Sequence, residues 1–236
     1  MLIPLPDTLA LTLFIAAWLA YEHVLKALGR GRGHINTDMT VIRTAWMRGM
    51  AHRENRFMDG QLMGHALNSA SFFASSNLIL IAAVAGVVFG GPQTWKAIQG
   101  LALLDTASRL MFEIKMTLVL VCLARGLLDF IWAIRQMNYC LAAIGAAPEL
   151  TASKTLLDAW GEASARLLNP ALSAFNAGVR GYYFALAAAA WLLGPVAMAT
   201  ATVGAVALLV WRQRRSPAAG AVGTLRALLE ERDGEG

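Results

Sequence analysis

The sequence predicts an all-α fold: a polytopic transmembrane helical bundle of about five spans, with two amphipathic helices on the cytoplasmic side. Three observations predict it. The 236 residues are 57% hydrophobic and 15% charged, with a mean hydropathy of +0.53; soluble domains carry about 25% charged residues. Apolar stretches near the length that crosses a bilayer, about 20 residues in helix, recur along the chain. Lys and Arg crowd alternate connecting segments, as the positive-inside rule requires.

The first span is expected at 7–28, preceded by Pro4 and Pro6 and followed by the turn Gly29–His34. The stretch from Leu9 to Leu19 has no basic residues before it and no small-residue cleavage site after it, so it reads as a retained helix rather than a cleaved signal peptide. The second span is expected at 65–89, closed by Gly90, Gly91 and Pro92, and the third at 110–134. The fourth, 170–193, would start with Asn169 as N-cap and Pro170 as first helical residue. Gly194 and Pro195 break it, because proline lacks an N–H and restricts its predecessor. The fifth is 195–211; if 170–211 is one kinked helix, the count falls to four. Residues 1–212 then form a single transmembrane domain, and 213–236 a short polar tail that frays.

Two further segments read as amphipathic helices. In 37–60, Ile42, Trp46 and Met50 recur every four residues, while Arg43, Arg48, Arg53 and Arg56 occupy much of the rest. Such a helix either lies on the bilayer with its arginines toward anionic headgroups or packs against the bundle ends. In 153–168, Leu156, Trp160, Ala163 and Leu167 share one side. Seven Lys and Arg fall within 26–56 and five within 212–232, against Lys96 alone in 91–107. The bias orients the chain with its N-terminus outside and its C-terminus cytoplasmic. It also accounts for the net charge of +5 and the pI near 9.6, with no motif for nucleic acid.

Several spans carry polar stripes. On the third, Lys115, Cys122, Arg125, Asp129 and Gln136 fall within about 80° at 100° per residue. Arg125 and Asp129, four apart, are positioned to pair. On the second, Gln61, Gly64, Asn68, Ser71 and Ser75 share a face; on the fourth, Asn169, Ser173, Asn176, Arg180 and Tyr183 do. Small and polar faces let transmembrane helices approach and hydrogen-bond. Joining them predicts one intramembrane polar network of Arg125, Asp129, Arg180, Asn68, Asn176, Ser71, Ser75, Gln136 and Tyr183. It either fixes helix register or lines a cavity for a small ion.

No cofactor, metal or catalytic set is legible. His23, His34, His52 and His65 make no metal-ligand spacing. Cys122 and Cys140 on one helix would lie about 27 Å apart at 1.5 Å per residue, too far for a disulfide. No paired carboxylates, nucleophile triad or phosphate loop occurs.

Five motifs recur in order: WMRGMAHRENRFMDGQLMG (Trp46 to Gly64), SFFASSNLIL (Ser71 to Leu80), FEIK (Phe112 to Lys115), RQMNY (Arg135 to Tyr139) and FNAGVRGYYF (Phe175 to Phe184). In these the chain resembles a bacterial inner-membrane family, domain-of-unknown-function family 599, over most of residues 5–212. The resemblance implies a polytopic membrane protein and brings no activity, cofactor or catalytic residue. It draws attention to a cytoplasmic motif of Trp46, Arg53, Arg56, Asp59, Arg135 and Asn138. The function expected is permeation or transport of a small ion by a self-associating, non-enzymatic bilayer protein. The alternative is a non-transporting scaffold or accessory subunit of a larger membrane complex.

Overall fold

The computed structural model describes residues 3–28, 35–100 and 108–234. The described residues are helical almost throughout, with no strand among them: α1 (Leu5–Leu28), α2 (Ile35–Ala51), α3 (Phe57–Phe89), α4 (Gly91–Gln99), α5 (Arg109–Gly145), α6 (Lys154–Ala189), a 3₁₀ turn (Ala190–Leu193), α7 (Pro195–Arg214) and α8 (Pro217–Gly234). Three stretches among them are long and apolar enough to cross a membrane: α3, α5 and the run Pro195–Arg232 that begins with α7. Leu5–Tyr21 is a shorter apolar helix. This is a helical membrane bundle by length and composition.

Serine side chains start three of these helices. Ser108 Oγ accepts from the Met111 N–H at 3.2 Å, Ser153 Oγ from Leu156 N–H at 3.3 Å and Ser216 Oγ from Ala219 N–H at 3.2 Å. Each satisfies one of the four N–H groups that a helix start leaves unpaired. Asn55 Oδ1 does the same for Phe57 N–H at the start of α3. Gly194, at φ 116°, takes a conformation that a side chain would strain. Together with Pro195 it separates the 3₁₀ turn from α7, where the sequence places the break.

Three expected boundaries are different. The segment 37–60 is not one helix: α2 stops at Ala51 and α3 starts at Phe57. Asn169–Pro170 does not start a helix, because α6 runs through it from Lys154. The N-cap is used instead by Ser153, and the helix continues past Pro170 at the cost of one backbone hydrogen bond. The tail 213–236 does not fray where described; it forms α8, capped by Ser216 and tied to α2 by the Arg226–Asp38 ion pair at 2.7 Å. The turn Gly29–His34 lies outside the described residues.

The chain divides into two compact units, and α3, α5 and α6 each contribute to both. One unit takes α1, α3 from Ser75, α4, α5 to Leu128, α6 from Gly178 and α7 to Val210. Its core gathers Phe14, Phe184, Trp191, Met111, Cys122 and Met198. Helices α5 and α6 approach there at glycines: a Cβ on Gly181 would stand 3.2 Å from Gly126 Cα. The other unit takes α2, the start of α3, α5 from Asp129, α6 to Ala177 and α8. Its core is rich in methionine, with Met47, Met50, Met63 and Met137 around Cys140 and Leu168. Gly161 of α6 seats α2, since a Cβ there would lie 2.6 Å from Arg48 Cα. Met47 and Met50 are fully buried against protein, so the apolar face of α2 is used in packing.

Candidate functional site

Two polar centres are built into the chain, one in each unit. In the α2-containing unit, the end of α2, residues 52–56 and the first turn of α3 bring together Trp46, Arg53, Arg56 and Asp59. Asp59 is completely buried. Its Oδ1 accepts from the Trp46 indole N–H at 2.7 Å and from the Arg53 guanidinium. As an acidic residue in the first turn it also meets the positive end of the helix dipole. Its other oxygen, Oδ2, has no partner. Arg56 donates to four carbonyls, those of Met50 and Ala51 behind it and those of Ala147 at 3.0 Å and Pro148 at 2.6 Å on the α5–α6 connection. The guanidinium therefore pins two connections together through backbone acceptors. Arg135 and Asn138, expected with these residues, are exposed on α5, and Arg135 donates to Tyr139 Oη at 3.3 Å.

Alongside this centre, α2 runs against α6 through a polar seam. Asn176 Nδ2 donates to Asn36 Oδ1 at 3.1 Å, and Asn169 Nδ2 to Thr44 Oγ1 at 3.3 Å. Further along, Arg48 pairs with Glu162 at 2.7 Å and His52 with Asp158 at 2.6 Å. Arg43, also on α2, is buried at 7% exposure. Its Nε and Nη1 have no acceptor, and burial lowers its guanidinium below the ordinary pKa.

The second centre joins α1, α5 and the 3₁₀ turn. Trp191 donates its indole N–H to Asp7 Oδ1 at 2.7 Å. The Lys115 ammonium lies 4.0 Å from the same oxygen and 5.8 Å from the Trp191 ring centroid. Lys115 is 2% exposed and Trp191 fully buried, so a carboxylate, an ammonium and an indole form one buried cluster. Sequence reasoning missed this set. Its signal was a lysine and an aspartate retained inside or beside apolar runs, where each needs a partner. In the same unit Asn77 is 1% exposed and donates to the Leu123 carbonyl at 2.9 Å.

The residues expected in one intramembrane network differ in burial. Gln136 is buried; Asp129, Asn176, Arg180 and Tyr183 are half-buried; Arg125, Asn68, Ser71 and Ser75 are exposed. Asn176 turns to Asn36 of α2, while the Arg180 guanidinium stands 5.8 Å from the Tyr21 ring of α1. The polar stripe of α3 points outward because its buried face is carried by Asp59, Met63, Ala70 and Asn77. At 100° per residue these sit roughly half a turn from Asn68 and Ser75. Polarity marked that face correctly; inward orientation did not follow. Cys122 and Cys140 are both buried and unbridged on α5. No group of three metal-ligating side chains occurs among the described residues.

With this geometry in view, residues 9–218 match the family described as Protein of unknown function, DUF599. The chain belongs to that family. The DUF599 match runs from Leu9 in α1 through α7 and takes in the first polar centre with Lys115 and Trp191 of the second, while Asp7 lies before its start and nearly all of α8 beyond its end. No curated protein and no solved structure matches the chain.

Proposed function

We propose that the protein is a multi-pass bacterial inner-membrane scaffold or accessory subunit, without catalysis, that works by self-association through α3. The observation that carries this reading is the outward stripe of Gln61, Asn68, Ser71 and Ser75, all exposed on an apolar helix that the rest of the chain leaves largely uncovered. Lipid cannot satisfy an amide or a hydroxyl, whereas a second helix can, and small residues let it come close. The charges with the clearest partners, Asp7, Lys115, Arg53 and Asp59, are held by their own chain, which suits a structural part better than a pore. In this reading the N-terminus is outside, and α2, the α5–α6 connection and α8 are cytoplasmic beside anionic headgroups.

Oxidative crosslinking in native membranes tests it. Ser71→Cys and Ser75→Cys should give a disulfide-linked dimer, and Leu80→Cys, exposed away from the stripe, should not. Monomer from both stripe variants overturns the reading.

A second reading, permeation of a small ion, is favoured by Arg125, Asp129 and Arg180 on apolar helices, since intramembrane charges commonly mark ion paths. Here the purified protein in liposomes should carry a flux that Arg125→Met with Asp129→Leu abolishes while the fold survives. A folded double variant with unchanged flux removes that role from these residues.

A further inference from the structure

Residues beyond 218 lie outside the family match, yet α8 is held to its own chain: Arg226 pairs with buried Asp38 of α2 at 2.7 Å. A groove of about 700 Å³ runs along the helix beside that pair. Gly220, Gly223 and Ala227 line it and fall within about 60° of one another at 100° per residue. A Cβ added at Gly220 or Gly223 would meet nothing within 4 Å. This face of α8 is nearly bare backbone with room beside it, and small residues in such a row let a second helix come close.

A second, independent observation is the charge at the two ends of the groove. Arg214, just ahead of α8, and Glu231, in its last turn, both line it and are both exposed. Neither has an ion-pair partner among the described residues. Glu231 also stands at the negative end of its own helix dipole, where a carboxylate is disfavoured. A copy of α8 running the other way answers both charges. Centred on Gly223, it sets Gly220 against Ala227 of the other copy and brings each Arg214 to the other Glu231. A parallel copy would instead set like charge on like charge at both ends.

We infer that this groove receives α8 of a second copy of the chain, antiparallel, in an isologous contact centred on Gly223 and closed at each end by Arg214 and Glu231. Two copies in one bilayer are related by rotation about its normal, and a half-turn about that axis reverses a helix lying along the membrane surface. Leu225 and Leu228, 52% and 57% exposed, give α8 an apolar side for that surface. They lie about 160° and 100° round the helix from Ala227, so the bilayer and the second copy meet different sides. The inference goes beyond the assembly reading and does not rest on it, because no residue of the α3 stripe takes part.

The test is cysteine crosslinking of the full chain in native membranes, with wild type as the blank because Cys122 and Cys140 are buried. Gly223→Cys, at the centre of the contact, should form a disulfide-linked dimer. Arg214→Cys and Glu231→Cys should each stay monomeric alone and form a mixed dimer when co-expressed with tags of different size. Self-crosslinking of Arg214→Cys would mean a parallel contact and overturns the proposal. Arg214→Glu should weaken dimerisation of the Gly223→Cys chain about tenfold, since two exposed ion pairs become like-charge contacts, and adding Glu231→Arg should restore it. Gly220→Leu should block the dimer and leave the thermal midpoint of the detergent-solubilised chain unchanged, because its side chain enters space that a single copy leaves empty. Absence of the Gly223→Cys dimer overturns the α8 contact, and a Ser71→Cys dimer seen without it leaves the α3 reading standing. A crosslink from Gly223→Cys to a protein of another mass means that a foreign helix fills the groove, and overturns it as well.

Discussion

Asp59 and Asp7 are buried carboxylates, each held by an indole N–H and a cation, and the cation's exposure separates the two arrangements. Arg53 keeps 47% of its side chain in solvent, while Lys115 keeps 2%. Solvent screens the first ion pair, so most of what holds Asp59 is the Trp46 hydrogen bond and the helix dipole. Removing Asp59 strands the indole N–H of half-buried Trp46, and removing Arg53 strands a carboxylate that keeps its other donor. Asp59→Ala should therefore destabilise by about 2–4 kcal/mol, and Arg53→Ala by under about 1 kcal/mol. Chemical denaturation in detergent, followed by tryptophan fluorescence, checks both. Equal losses would show that the ion pair, not the indole bond, carries the interaction. These partners lie only 13 and 6 residues from Asp59, and the motif that holds all three was legible in the sequence. Asp7 and Trp191 are 184 residues apart, a pairing that no spacing rule reaches.

At the scale of elements, capping chemistry decided the starts and close approach decided the packing. The preference for a small polar residue ahead of a helix applies at Ser108, Ser153 and Ser216, yet Asn169–Pro170 looks as good and caps nothing. Proline at the first helical position is favourable, but inside a membrane-class helix it is also tolerated, because neighbours re-satisfy the freed backbone. The local signal is thus ambiguous until the preceding turns find something to pack on. For 154–169 that surface is α2, which crosses at Gly161. Gly161→Ala places a methyl against Arg48 backbone and should cost about 1–3 kcal/mol by overpacking. Gly60→Ala has nothing within 4 Å and should be neutral or stabilise by up to about 1 kcal/mol. Paired thermal melts of the two variants check this, and equal effects would remove the α2–α6 crossing from the explanation. The same dependence on a partner explains α8: its composition reads as a polar tail, and Asp38 on α2 provides the carboxylate that Arg226 needs.

At the scale of the whole molecule, topology is the property that charge alone should control. Lys and Arg resist translocation, so the segments rich in them stay in the cytoplasm. A reporter active only outside should give signal when fused after Gly91 and none after Gly33, Ala147 or Arg215; signal at Arg215 would leave four crossings and turn α8 outward. What the sequence alone determined is the membrane class, the all-helical fold, the break at Gly194–Pro195 and the separation of Cys122 from Cys140; the motif shared with the family pointed to Trp46, Arg53, Arg56 and Asp59, which lie within one short segment. All of these follow from composition, local propensity or contacts within one short segment. Tertiary structure decided which face of α3 is buried, that α6 passes through Pro170, that α8 docks on α2, and which charges meet. A helical stripe gives the angle between residues on one helix but no sign for inside and outside. In water apolar means inward, whereas in lipid both faces can be apolar and only the packed neighbours give one of them a partner.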